Sequence, residues 1–196
     1  MVHMNKRSGD ASRQRILTAA QAVFAEYGYA QASMRAIARK AGISVGGLYL
    51  YFKNKEELYL TFMQDWMNSL NDATQQALTE IDDPVEAIKA FIEISVDYAR
   101  SHREIMILQG RELGISFGSE FKRKFSRDRQ KLIGEIVRKG MAQGVFRACD
   151  PDEAAKVIFN MMRGFVASMA IDEDSLFSVE ESVSLVLHGL MRRDNG

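Results

Sequence analysis

Residues 33–52 read Ser33-Met34-Arg35-Ala36-Ile37-Ala38-Arg39-Lys40-Ala41-Gly42-Ile43-Ser44-Val45-Gly46-Gly47-Leu48-Tyr49-Leu50-Tyr51-Phe52. Ser33 suits an N-cap, and Met34, Ile37, Ala38 and Ala41 follow it at helical spacing. Gly42 ends this short helix, and Ser44 caps another, predicted from Val45 to about Phe52. Two short helices separated by Gly42-Ile43-Ser44 make a helix-turn-helix pattern. With neighbours turned by about 100°, Leu48 and Phe52 share a face directed at Ile16, Phe24 and Ile37. Gly46 and Leu50 then point outward, with Gly47 and Tyr49 on the flanks. An outward leucine between small residues fits a DNA major groove, where apolar side chains meet thymine methyls and small residues let the backbone approach the bases.

Helix signals continue in both directions. Upstream, a helix beginning near Asp10 or Ser12 carries Ile16, Ala20, Val23, Phe24 and Tyr27 and stops at Gly28. Downstream, Asn54 and Glu57 resemble a capping box for a long helix through Trp66, Leu70 and Ala77 to about Glu80. Asp83-Pro84 starts a fifth helix, and a sixth covers Arg103 to Glu112. A glycine-punctuated break, Gly114 to Gly118, precedes a seventh from about Ser119 to Gln143. Asp150-Pro151 starts the eighth; Ser178 and Glu181 cap the last, which ends near Arg193. The pattern predicts nine helices and no strands, an all-α fold with an N-terminal three-helix domain that carries the helix-turn-helix (1–53) and a C-terminal helical body (54–196).

Composition narrows the function. Formal net charge is zero, yet residues 1–55 carry nine basic groups against two acidic ones, and the remainder an excess of seven acids. A basic first quarter on an acidic body suggests a nucleic-acid-facing module. Cys149 stands alone, which excludes an internal disulfide framework. No stretch approaches the ~20 apolar residues of a membrane span, and no leader-like segment precedes the first helix; a cytoplasmic protein is expected. His102 and His188 lie far apart, with no Cys–His, Ser–His–Asp or zinc-protease arrangement and no glycine-rich phosphate loop after a strand. An enzyme is therefore not expected, nor a metal or cofactor.

Residues 13–58 carry a specific resemblance. They run from Arg13-Gln14-Arg15-Ile16-Leu17 through Ile37-Ala38-Arg39-Lys40-Ala41-Gly42-Ile43-Ser44 to Leu48-Tyr49-Leu50-Tyr51-Phe52-Lys53-Asn54-Lys55-Glu56-Glu57-Leu58. This segment resembles the DNA-binding domain of the TetR family of transcriptional repressors. The resemblance implies DNA contacts at Ser33, Arg35, Ser44, Val45, Gly46, Gly47, Tyr49, Leu50, Tyr51 and Lys55, with Arg13 and Arg15 as candidates in the arm. Ser33 and Lys55 would hold phosphates, and Arg35 a base. Val45 stands where the family pattern often has lysine, so hydrogen-bonding side chains are scarce on the reading face. Base readout would then rest on Arg35, methyl contacts and DNA shape.

The resemblance also implies that 1–53 is the DNA-binding domain and 54–196 a ligand-binding and dimerisation domain, giving a homodimer on a palindromic operator, released by a small hydrophobic inducer. Pocket candidates are Trp66, Phe91, Ile92, Val96, His102, Met106, Asn160, Met162, Arg163, Phe165 and Val166. Dimer candidates on the last two helices are Val157, Met161, Phe165, Met169, Val183, Val186, Leu187 and Leu190. Lys122, Arg123, Lys124, Arg127, Arg129 and Lys131 crowd the seventh helix, either as a solvated cationic face or as a surface for ligand phosphates. The segment 48–56 and the helix spacing of the body are also similar to fatty-acid-responsive members of the family, which implies long-chain acyl-CoA as inducer. An architectural or partner-recruiting DNA-binding protein of the same fold, without a small ligand, is the alternative.

Overall fold

The computed structural model of the chain describes residues 6–111, 119–171 and 178–191. They form α1 (Lys6–Gln31), α2 (Met34–Ala41), α3 (Val45–Tyr49), α4 (Lys55–Leu78), α5 (Pro84–Ser101), α6 (Arg103–Arg111), α7 (Ser119–Ala142), α8 (Pro151–Ile171) and α9 (Val179–Leu190). No strand occurs among the described residues, only an isolated antiparallel bridge between Phe146 and Met191. The all-α expectation holds. Two compact units divide within α4, between Trp66 and Met67.

Local chemistry sets the helix ends. Ser33 Oγ accepts from the Ala36 N–H at 3.1 Å, and Ser44 Oγ from the Gly47 N–H at 3.0 Å. Gly42 (φ 67°) terminates α2 in the left-handed region, with the Ile43 N–H returning to the Ala38 carbonyl at 3.0 Å. Asn54 Oδ1 accepts from the Glu57 N–H at 2.7 Å, while Glu57 reaches back to the Lys53 N–H at 2.7 Å, one residue before the position expected for the box.

Three boundaries differ from the sequence expectation. α1 begins at Lys6; Gly28 (φ 71°, ψ 167°) breaks it where expected, but a further turn follows to Gln31. α3 stops at Tyr49, because the Leu50 and Tyr51 N–H groups bond the Gly47 and Leu48 carbonyls, tightening the last turn to i→i+3 bonds. α9 ends at Leu190. The glycine-punctuated break at 114–118 lies outside the described residues.

The N-terminal unit closes on an aromatic cluster. Phe24 meets Tyr59 edge-on with centroids 5.2 Å apart, and Tyr29 meets Tyr59 at 5.0 Å. Ile16, Phe24, Ile37, Leu48 and Phe52 are all buried, as the periodicity predicts. In the C-terminal unit, Ile88, Phe91, Ile92 and Val96 of α5 are buried together with Ile133 and Val137 of α7 and Ala155, Ile158 and Phe165 of α8.

One contact fixes the α7–α8 connection. A Cβ on Gly140 would stand 2.1 Å from Phe146 Cδ2. Phe146 cannot retreat easily. It is buried, its N–H bonds the Gly140 carbonyl at 3.0 Å, and the adjacent Arg147 N–H bonds the Leu190 carbonyl at 2.8 Å. Gly140→Ala should therefore lose about 1–3 kcal/mol of stability through overpacking, measured by thermal unfolding. Adding Phe146→Leu should recover part of that loss.

Candidate nucleic-acid interface

The turn between α2 and α3 leaves an open groove of about 500 Å³ lined by Ser33, Arg35, Ala36, Ala38, Arg39, Ile43, Ser44 and Val45. Leu50 is 80% exposed and Tyr49 51%; Val45 and Gly46 are exposed, and Gly47 and Tyr51 are half-buried. A Cβ on Gly46 would meet nothing within 4 Å, whereas one on Gly47 would lie 3.1 Å from Ser44 Oγ. Gly47 thus leaves room for the cap, and Gly46 leaves the surface flat. Arg35 and Arg39, one helical turn apart, are exposed and form no ion pair with any described residue. Two uncompensated guanidinium groups beside an apolar ridge suit a polyanion with apolar groove features. Arg39 was missing from the sequence-based candidates; its position four residues after Arg35 was the available signal.

Lys55 departs from its expected role as a free phosphate contact. Its Nζ donates to the carbonyls of Tyr29 (2.7 Å), Ala30 (3.2 Å) and Ala32 (2.9 Å) and sits 4.5 Å from the Tyr29 ring centroid. Those carbonyls belong to the turn that follows the Gly28 break, where intrahelical partners run out. The ammonium is thereby committed to holding the end of α1. Arg13 is also engaged within the N-terminal unit: it lies 5.5 Å from the Phe52 ring centroid and 3.7 Å from an Asp65 oxygen. Arg15 is exposed.

Of the pocket candidates, Phe91, Ile92, Val96, Met106, Met162 and Phe165 are buried in the C-terminal unit. Val166 is half-buried. His102 is half-buried, stacked on Tyr98 with centroids 4.2 Å apart. Trp66 is buried and belongs to the N-terminal unit. Asn160 and Arg163 require correction as lining residues. Both are exposed on α8 and do not enter the core of the unit.

The dimer candidates also divide. Phe165, Met169, Val183 and Leu190 are buried within the protomer and are not free to meet a partner. Met161, Val186 and Leu187 are half-buried. Val157 is 69% exposed, as is Leu185 at 73%, a residue the periodicity had not singled out. Gly164 and Gly189 have open space where a Cβ would stand. The exposed side of each helix therefore combines one large apolar residue with a glycine.

The basic run on α7 is mostly a solvated face. Arg123, Lys124, Arg127 and Lys131 are exposed and Lys122 is half-buried; Lys124 pairs with Asp128 at 2.6 Å and Lys131 with Glu135 at 3.9 Å. Arg129 alone turns inward, 3% exposed. Its Nη1 donates to Thr74 Oγ1 at 2.7 Å, Nη2 donates to Ser95 Oγ, and the guanidinium carbon lies 4.1 Å from the Phe91 ring centroid. Burial pushes its pKa down to about 10, so the group remains cationic at neutral pH.

Together these features define a helix-turn-helix regulator with a separate helical body. Comparison with known proteins agrees. Residues 16–61 match the family described as bacterial regulatory proteins, tetR family, and residues 117–187 match the tetracyclin repressor-like C-terminal domain. The transcriptional repressor KstR2 of Mycolicibacterium smegmatis is 28% identical over 154 residues, covering 77% of this chain and 74% of that protein. The fatty acid degradation regulator FadR of Bacillus halodurans superposes with a TM-score of 0.76 at 24% identity, covering 90% of this chain and 92% of that one. FadR of Bacillus subtilis, solved with stearoyl-CoA, gives 0.75 at 22% identity, covering 89% and 95%. The chain belongs to the TetR family of bacterial regulatory proteins and is a DNA-binding transcriptional regulator. None of its described helices is long and apolar enough to cross a membrane.

The geometry separates two cations that look equivalent in sequence. Arg35→Ala should weaken operator binding about 10- to 100-fold, the worth of one good base contact, with an unchanged melting temperature. Lys55→Met should lower the melting temperature, because removing a charged donor from part-buried carbonyls costs about 1–3 kcal/mol. Fluorescence anisotropy and thermal unfolding on the same preparations distinguish the two.

Proposed function

We propose that the protein is a cytoplasmic, non-enzymatic repressor that binds a palindromic operator as a homodimer and is released by a long-chain acyl-CoA. The DNA-reading part comprises residues 1–53, and residues 54–196 take the ligand and the partner. The observation that carries the DNA reading is the groove of α2 and α3. There exposed Arg35, Arg39 and Val45 line one groove, and Tyr49 and Leu50 at the end of α3 are exposed as well, none of them covered by the unit's own core. Ser33 and Ser44, both exposed, keep hydroxyl protons for phosphate oxygens while their oxygens accept the cap bonds. With few hydrogen-bonding side chains opposite Val45–Gly47, readout rests on the arginines, on thymine methyls against Leu50 and Tyr49, and on DNA shape.

Dimerisation through the Val157 side of α8 and the Leu185 side of α9 supplies the two-fold symmetry that a palindrome requires. The repressor sign is supported by KstR2, and the acyl-CoA class by the fold shared with the stearoyl-CoA-bound FadR. An inducer acts only if it prefers the conformation that fits DNA poorly. α4 contributes residues to both units, which suits it to carry that preference.

Fluorescence anisotropy on DNA from upstream of the protein's own gene tests the reading. Tight, salt-sensitive binding that stearoyl-CoA reverses is expected, with half-sites about one helical turn apart. Binding indifferent to acyl-CoA would reject the inducer and keep the regulator. Replacing Leu185 by Glu should give monomers by analytical ultracentrifugation and abolish tight operator binding.

A further inference from the structure

Arg129 is a buried guanidinium with no acid among the described residues paired with it. Its hydrogen-bond partners are the hydroxyls of Thr74 on α4 and Ser95 on α5, both neutral and both buried. The aromatic faces near it, Phe91 and Phe125, provide only diffuse negative potential. Burying a cation without a counter-charge is strongly unfavourable, and natural proteins pair such groups or give them a ligand. Here none of the described carboxylates pairs with it. Of the five N–H donors that a guanidinium carries, two are engaged by described residues.

The hydroxyls do not need Arg129 for their own sake. Thr74 Oγ1 already gives its proton to the Leu70 carbonyl at 2.8 Å, and Ser95 Oγ gives its own to the Phe91 carbonyl at 2.6 Å. Both oxygens therefore face the guanidinium as acceptors and fix its plane. Together with Phe91 beneath, they make a preorganised fork within the apolar core of the C-terminal unit.

We propose that Arg129 is the receptor for the oxyanion head of an amphipathic organic anion that binds inside the C-terminal unit. A planar carboxylate or a single phosphate oxygen edge matches a guanidinium fork bidentately. The surrounding phenylalanines and isoleucines take the apolar part of the same molecule. The exposed lysines and arginines of α7 are not this receptor, since they are hydrated and partly paired. This inference rests on the proposed ligand-responsive function in one respect only: a ligand enters this unit.

The test uses full-length wild-type protein, Arg129→Met and Arg129→Lys. Each is titrated by calorimetry with two series of probes: stearate, stearoyl-CoA and octadecanol; naphthalene-2-carboxylate and its neutral methylamide. Wild type should bind an anion of at least one series, and Arg129→Met should bind that anion at least ten-fold more weakly. The neutral member should bind both proteins alike, and Arg129→Lys should fall between them for the anion. The melting temperature of ligand-free Arg129→Met should equal or exceed that of wild type, because an uncompensated charge has been removed. A preference for stearate places a free carboxylate on Arg129; a preference for stearoyl-CoA places a phosphate there. The proposal is overturned if in neither series the anion loses affinity in Arg129→Met. Failure of all acyl probes on wild type, with naphthalene-2-carboxylate still dependent on Arg129, rejects the acyl-CoA inducer and leaves the receptor standing. Release of DNA by stearoyl-CoA from wild type and Arg129→Met alike does the reverse.

Discussion

The N-terminal unit hangs on the ammonium of Lys55. Gly28, with φ at 71°, interrupts α1 and leaves the turn after it short of intrahelical donors. A lysine 26 residues beyond Tyr29 supplies them, bonding three successive or near-successive carbonyls and lying over the Tyr29 ring. A cation is the right donor there, since it also meets the negative end of the helix. Because Ala32 directly precedes the Ser33 cap, the same ammonium locates the start of α2. Lys55 opens α4, so α1, α2 and α4 are referred to one atom. The position of α3, and with it Leu50, follows from that arrangement through the Gly42 turn.

Much of this architecture was legible because it is encoded locally. Ser33, Gly42, Ser44 and Asn54 act within four residues of themselves, and the inward direction of Leu48 and Phe52 follows from helical periodicity alone. The outward Leu50 was legible for the same reason. What escaped the sequence was set by partners far along the chain. Nothing near Lys55 marks its acceptors on α1. Nothing near Gly140 marks the ring of Phe146 folding back over it. On α8 the apolar residues cover more than one side, so periodicity could not tell the buried Phe165 and Met169 from the exposed Val157. Asn160 and Arg163 were placed in the pocket by composition, and the helix turns them outward.

The cation run of α7 shows the same limit most sharply. Six basic residues in ten positions look alike in sequence, and a charged stretch on a helix reads as a wet face. Five of them are on or near that face. The sixth is rotated into the core, where it finds two hydroxyls that lie 55 and 34 residues away. Charge counting therefore assigned the segment correctly on average and missed the member that matters.

The two units use arginine in opposite physical regimes. Arg35 and Arg39 stand in water, where the favourable free energy of meeting DNA comes from displaced counterions and from base edges, and where salt weakens the attraction. Arg129 stands in a low-dielectric interior, where a single opposite charge interacts far more strongly and salt screens it little. A regulator that releases a polyanion on binding a small anion needs both regimes. The surface cations must let go under modest opposition, whereas the interior cation must discriminate one small molecule from the many anions of a cell. That division assigns the reading of DNA to groups that the fold leaves uncovered, and the reading of a ligand to a group that the fold has desolvated and held in place by Thr74, Ser95 and Phe91.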